Sequence, residues 1–287
     1  MIVIDYTARD LEGNEWTTHE VVPFETYPSG ELRVNIKPRH GVERIRVRAN
    51  FTAKNLGWMQ MQLVFVMDIL CHQYVGVRKT LEIPYMPYSR QDRRCADGDS
   101  DQLQIFLDMI DGYFEEVVTY DMHNPKSLQE KWVSTKYTNI PQLSLIQSWP
   151  VVDARIRGVD VVVAPDKGAI EKSGNVAHHY GLPLSFAQKV RNPENGEILK
   201  TVVADGPEVF RDKQVLICDD ICDGGRTFIE IAKVLKEHGA KRVILYATHG
   251  IMSKGCQVVT EWIDEVYIYN YIGQGPLGPN VWARGKD

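Results

Sequence analysis

The sequence predicts an α/β protein in which mainly parallel sheets are flanked by helices. Two observations carry that expectation: short β-rich runs alternate with amphipathic helical stretches, and nearly every strand runs into a segment bearing Asp, His or Arg. In such folds the carboxyl ends of the strands collect the ligand-binding loops. The chain opens on a strand-like Met-Ile-Val-Ile run. Residues 78–84 read as a β-rich run closed by Pro84, 102–109 as an amphipathic helix, and 116–120 as the next strand. Strand 159–164, helix 169–179, strand 214–218, helix 227–237 and strand 242–247 repeat the alternation. A last strand is expected at 267–271. Residues 136–152, with Pro141 and Pro150, break the pattern and mark the expected crossover between domains.

With 287 residues the chain is long for one core and suits two moderate domains. It is 44% hydrophobic and 25% charged, which excludes a disordered, collagen-like or disulfide-scaffold chain. The longest apolar runs, 61–71 and 159–165, carry Asp68 and Asp160 and fall short of the ~20 residues of a bilayer span, so no membrane partner is expected. No basic patch followed by an apolar stretch opens the chain, so the expected location is the cytoplasm. A net charge of −5 supplies no basic field for a nucleic acid. Any phosphate must therefore be held locally. The five cysteines are dispersed and read as reduced thiols, the Cys218 and Cys222 pair included.

The densest chemistry lies in 215–227, where a hydrophobic strand ends in two exposed acids, Asp219 and Asp220, and continues through Asp223, Gly224, Gly225, Arg226 and Thr227 into a helix. Paired acids can accept hydrogen bonds from vicinal hydroxyls. Glycines let backbone N–H groups approach phosphate oxygens at a helix N-terminus, and Thr227 can cap that helix. Together they suit a phosphorylated sugar. The plain alternative is an Asp/Gly turn, but three carboxylates at one strand end repel unless hydroxyls, cations or a metal compensate. Arg90, Arg93 and Arg94 offer planar forks for phosphate or adenine, or else a solvated turn balanced by Asp92. His123 follows a strand as a metal or phosphate partner, or as a satisfied structural histidine. Lys189 and Arg191 precede 192–196, a segment able to close like a lid, or else form a surface charge pair. His178 and His179 read as structural or exposed.

These blocks, in order from residue 28 to residue 251, resemble those of the ribose-phosphate pyrophosphokinases (phosphoribosyl-pyrophosphate synthetases), which are built from type I phosphoribosyltransferase-like domains. Residues 28–34, with Ser29, Gly30 and Glu31, look like the family loop that reaches the ATP site of a neighbouring subunit. Residues 83–93 are similar to its strand and ATP-binding turn, with Arg90, Gln91, Asp92 and Arg93 in the turn. Residues 121–125 resemble the segment whose histidine, here His123, meets metal and nucleotide phosphates. Residues 164–168, with Asp166, look like its Ser-Pro-Asp-x-Gly loop, and Lys189 and Arg191 stand where the family has its catalytic Lys-x-Arg. Residues 248–251 resemble the loop after the last parallel strand.

The resemblance implies two phosphoribosyltransferase-like domains, each a mainly parallel sheet flanked by helices: 1–145 on the ATP side and 146–287 on the ribose-phosphate side. Whether the last residues pack back on the first domain stays open. It implies Mg2+-dependent transfer of the β,γ-diphosphate of ATP to the anomeric hydroxyl of ribose 5-phosphate, giving PRPP and AMP, in a homo-oligomer. Lys189, Arg191 and His123 would be catalytic. ATP would be held by Ser29, Glu31, Arg90, Gln91, Asp92 and His123, and the ribose phosphate by Asp219, Asp220 and 223–227. His123, Asp166, Asp219 and Asp220 would serve the metal. Three departures stand beside the likeness. Gly224 replaces a hydroxyl and Arg226 a glycine, which suits a larger acceptor such as ADP-ribose, an intermediate of NAD metabolism. Residues 95–102 are acidic where the family is basic, against phosphate or ADP regulation. The chain ends soon after 267–271 where relatives continue into a helix, so the resemblance does not carry over the usual hexamer and the size of the oligomer stays open. Two other readings are therefore the same chemistry on ADP-ribose and a catalytically silent regulatory subunit.

Overall fold

A computed structural model of the chain describes residues 1–10, 12–131, 133–191 and 198–285. Two compact units divide it, 1–140 and 141–287. The first unit carries β1 (Ile2–Arg9), β2 (Glu15–Val21), the small hairpin β3 (Phe24–Thr26) and β4 (Leu32–Val34), then β5 (Val42–Ala49), α1 (Leu56–Gln73), β6 (Arg78–Ile83), α2 (Gln102–Ile110), β7 (Glu116–Tyr120) and β8 (Lys136–Ile140). Its main sheet has the order β2-β1-β5-β6-β7-β8. The four strands from β5 to β8 run parallel, and β1 pairs antiparallel with β2 and β5. Strand β8 occupies the start of the expected crossover, so 136–140 belongs to the first sheet.

Helix α1 is apolar on most of its surface and buries Met59, Leu63, Val66, Met67 and Leu70, whereas α2 carries its apolar residues on one face. In α2, Leu103, Phe106, Leu107 and Ile110 are buried at helical spacing, and Asp101 opens the helix by accepting the Gln104 N–H at 3.1 Å. Each such buried side chain contributes roughly 1.5–3 kcal/mol before entropy is charged against it.

The second unit carries α3 (Gln142–Gln147), α4 (Pro150–Ile156), β9 (Val161–Ala164), α5 (Ile170–Tyr180), β10 (Leu184–Arg191), β11 (Ile198–Val203), α6 (Pro207–Phe210), β12 (Gln214–Cys222), α7 (Arg226–Glu237), β13 (Arg242–Gly250), α8 (Cys256–Thr260), β14 (Glu265–Tyr271) and β15 (Val281–Ala283). The sheet order is β11-β10-β9-β12-β13-β14-β15, parallel except for β11. Strand β9 is Val-Val-Val-Ala and fully buried, as a parallel strand covered on both faces must be. After β9 the chain builds outward to β10 and β11, and from β12 it builds the other way. The switch point between β9 and β12 is where such sheets place their ligands.

Strand β12 differs from the sequence expectation. It does not stop at Cys218 but continues through the acids to Cys222, because its parallel pairing with β13 continues through Asp219↔Ala247 to Cys222↔Gly250. The acids are therefore inside the strand and not exposed: Asp219 is half-buried and Asp220 is 4% exposed.

Candidate active site

At the switch point three carboxylates converge. Asp166 lies two residues past β9, is exposed, and accepts the Ala169 N–H on Oδ1 at 3.0 Å. Asp219 Oδ1 accepts the Asp220 N–H at 2.9 Å, and the Gln142 amide donates to the Asp219 carbonyl at 2.8 Å. Lost hydration, the Asp220 carboxylate beside it and, more weakly, Asp166 hold the Asp219 carboxyl well above the usual carboxylate range. Lys172, from α5, brings Nζ to 3.5 Å from Asp220 Oδ2. Burial likewise pushes the Cys222 thiol up, with Asp219 and Asp223 adding to it, so Cys222 is a packing residue.

The loop 223–225 then turns the chain into α7. Gly225 has φ +75°, and a Cβ there would come within 2.5 Å of Val259 Cγ2, so glycine is required twice over. Gly225 is also the cap residue of α7, with Arg226 its first residue. Thr227 therefore does not cap the helix as its sequence position suggests. Its hydroxyl instead receives Lys189 Nζ at 3.2 Å, which brings the cation of β10 to the glycine loop. Arg226 is exposed. Arg191 is the last residue of β10. Its side chain and the lid segment 192–196 lie outside the described residues. Within the end of β13, paired in parallel with β14, the Asn270 amide and His249 Nδ1 lie 3.1 Å apart and both Thr248 and His249 are buried, so 248–250 are strand residues and not a loop after the last parallel strand.

The first unit holds its own cluster at strand ends. His123 is exposed in the turn after β7. That turn is held by the Asp121 N–H to the Ile140 carbonyl at 2.8 Å and the Met122 N–H to Asn139 Oδ1 at 2.9 Å. Asn124 Nδ2 donates to Asp92 Oδ2 at 2.8 Å, tying the His123 turn to the Arg90–Gln91–Asp92 turn far from it in sequence. Arg90 and Gln91 are exposed, and the Gln91 N–H closes the turn on the Tyr88 carbonyl at 2.7 Å. In the tip joining β3 to β4, Ser29 Oγ donates to Glu31 Oε2 at 2.7 Å, and the Tyr27 N–H reaches the Glu31 carbonyl at 2.9 Å.

The sequence reading missed three neighbours of these groups: Gln142, Lys172 and Lys254, whose stem lies over Gly224. Each lies outside the motif it serves, and only a basic residue in a loop after a strand hinted at Lys254. Among the described residues no group of three or more His, Cys, Asp or Glu side chains could hold a metal ion by itself. The acid pair fits Mg2+ in another way, since that ion is usually held by one or two carboxylates with substrate phosphates and water completing the shell. The crowding that raises Asp219 is what a divalent cation would relieve.

The acid pair, the glycine turn at a helix N-terminus and the lysine at that turn sit on a doubly wound sheet of the phosphoribosyltransferase type. The family profile for the phosphoribosyl transferase domain matches residues 154–265. Ribose-phosphate pyrophosphokinase from Pyrococcus abyssi is 32% identical over 253 residues, covering 88% of this chain and 84% of its own. The enzyme of that name from Pyrococcus furiosus is 30% identical over 276 residues, covering 95% and 94%. The crystal structure of phosphoribosylpyrophosphate synthetase from Mycobacterium smegmatis shares the fold, with a TM-score of 0.77 over 92% of this chain and 85% of that one at 22% identity. The chain belongs to the ribose-phosphate pyrophosphokinase family and is a diphosphotransferase. No helix among the described residues is long and apolar enough to cross a membrane.

Proposed function

We propose that this enzyme transfers the β,γ-diphosphate of ATP to the anomeric hydroxyl of ribose 5-phosphate, giving PRPP and AMP. The observation that carries the proposal is Lys189 Nζ at 3.2 Å from Thr227 Oγ1, a cation held at the glycine turn directly beyond an acid pair. The relatives named ribose-phosphate pyrophosphokinase support the same substrates.

In this reading the backbone N–H groups of 224–227 and the Thr227 hydroxyl hold the 5-phosphate at the N-terminus of α7. Asp219 and Asp220 accept hydrogen bonds from the ribose hydroxyls and so orient the sugar. The anomeric oxygen attacks the β-phosphorus of ATP, the bond from that phosphorus to the α,β-bridging oxygen breaks, and AMP departs with that oxygen while the hydroxyl proton passes to water. Lys189 and Arg191 offset the charge gathering on the nonbridging oxygens and on AMP, so the rate rests on positioning and electrostatics. Arg90, Gln91, Asp92 and His123 hold the nucleotide. Ser29 and Glu31 do so from a neighbouring subunit, which makes the active form a homo-oligomer. Asp166, Asp219, Asp220 and His123 would hold Mg2+, which when bound supplies neutralising charge to the diphosphoryl oxygens.

The test is kcat/KM with Mg-ATP for ribose 5-phosphate and for ADP-ribose, each alone, with AMP release followed. Preference for ribose 5-phosphate is expected. Preference for ADP-ribose would replace the acceptor, and no turnover with either would indicate a regulatory subunit.

A further inference from the structure

Lys254 lies in no motif, yet the fold places its stem over the glycine turn. Its loop follows β13 and is anchored on both sides: Met252 is 5% exposed and Cys256 1%, and both belong to the core that includes Phe228 and Ile231 of α7. The Ile251 N–H donates to the Cys222 carbonyl at 2.8 Å, tying this loop to the strand end from which residues 223–225 leave. The Gly255 N–H closes a tight turn on the Met252 carbonyl at 2.8 Å. Between those anchors Lys254 is exposed. A Cβ placed on Gly224 would lie 3.6 Å from Lys254 Cδ and Cε and 3.8 Å from Cγ, so the lysine stem fills the side-chain direction that Gly224 leaves empty. A stem laid along backbone in this way carries its ammonium to the edge of the surface it covers. Among the described residues no carboxylate pairs with Lys254, which is exposed, so its charge is available to a ligand at the turn.

We propose that Lys254 is a specificity-determining residue of this enzyme, whose ammonium, in place of a side chain at position 224, binds the phosphate group on the 5-position of the acceptor. The inference rests on the reading of 223–227 as the acceptor's phosphate cradle. The hydrogen-bonding turn fixes where the phosphate sits, and Lys254 adds a point charge over Gly224, whereas Lys189 reaches the turn at Thr227. It acts on binding and not on the reacting phosphorus, so it should move the KM of the acceptor and not kcat.

Lys254→Met keeps the stem and removes the charge, and Lys254→Arg restores a cation. Both are compared with wild type by steady-state kinetics, using whichever of ribose 5-phosphate and ADP-ribose turns over faster. Lys254→Met should raise the acceptor KM about tenfold to a hundredfold, the usual worth of one charged hydrogen bond, with the ATP KM and the melting temperature unchanged. Lys254→Arg should recover most of that loss. An acceptor KM within twofold of wild type for Lys254→Met overturns the inference. Thr227→Ala separates the two levels. If it raises the acceptor KM while Lys254→Met does not, the cradle stands and the role of Lys254 falls. If neither variant matters, or neither acceptor turns over, both fall.

Discussion

Lys189 and Asp219 show how single side chains divide the work. Lys189 rests on Thr227 at 3.2 Å, so in the proposed mechanism it stands beside the acceptor and interacts most strongly when charge develops during transfer. Lys189→Ala should therefore lower kcat by ~10²-fold or more while the KM of ATP changes little, as read by steady-state kinetics. A near-normal kcat would remove Lys189 from the chemistry. Asp219 is held high by lost hydration and by Asp220, so above its ordinary carboxylate range the folded state retains a proton that the unfolded chain releases, and stability falls as pH rises. Asp219→Asn removes that loss. In metal-free buffer its melting temperature should exceed that of wild type at pH 7 and match it near pH 4, while the acceptor KM rises by scanning calorimetry and kinetics respectively. The acids, the glycines and Lys189 could be read from the sequence because their chemistry is packed into short runs. Gln142 could not, since it meets Asp219 from 77 residues away and an amide reaching a backbone carbonyl leaves no pattern.

Elements decide whether those residues can function. The alternation of β-rich and amphipathic runs identified the parallel strands, because apolar periodicity is a local property. The end of β12 escaped that reading: two acids look like the end of a strand, but pairing with β13 carries the strand onward and buries Asp220. The antiparallel β1, β2 and β5 side of the first sheet also escaped it, since sheet order depends on contacts between distant segments. One local anchor can be tested through pH. Asp111, just past α2, loses some hydration, yet the Ser134 and Thr135 N–H groups at 2.8–2.9 Å hold its carboxyl down at about 2, against an ordinary 3.8. A depressed carboxyl stabilises the fold above its unfolded value and loses that contribution as pH falls toward its folded one. Asp111→Ala should thus melt below wild type at pH 7, with the gap narrowing between about pH 4 and pH 2 in thermal melts followed by circular dichroism. A gap that does not change with pH would mean that packing, not the charge, accounts for the loss.

For the whole molecule, the proposal divides the work between acceptor residues in one unit and nucleotide residues in the other, with Ser29 and Glu31 acting across subunits. Mixing inactive Glu31→Ala and Lys189→Ala proteins should then regenerate activity, because some shared sites contain neither substitution. Sedimentation of the active species as a monomer, or no recovery after subunit exchange, would confine each site to one chain. Transfer of a diphosphoryl group to ribose 5-phosphate can be followed by phosphorus NMR of the enzyme turning over Mg-ATP with ribose 5-phosphate. AMP and a ribose 5-phosphate 1-diphosphate should appear in equal amounts, with no ADP. Formation of ADP with a ribose bisphosphate, or of AMP with free pyrophosphate and unchanged sugar, would contradict it.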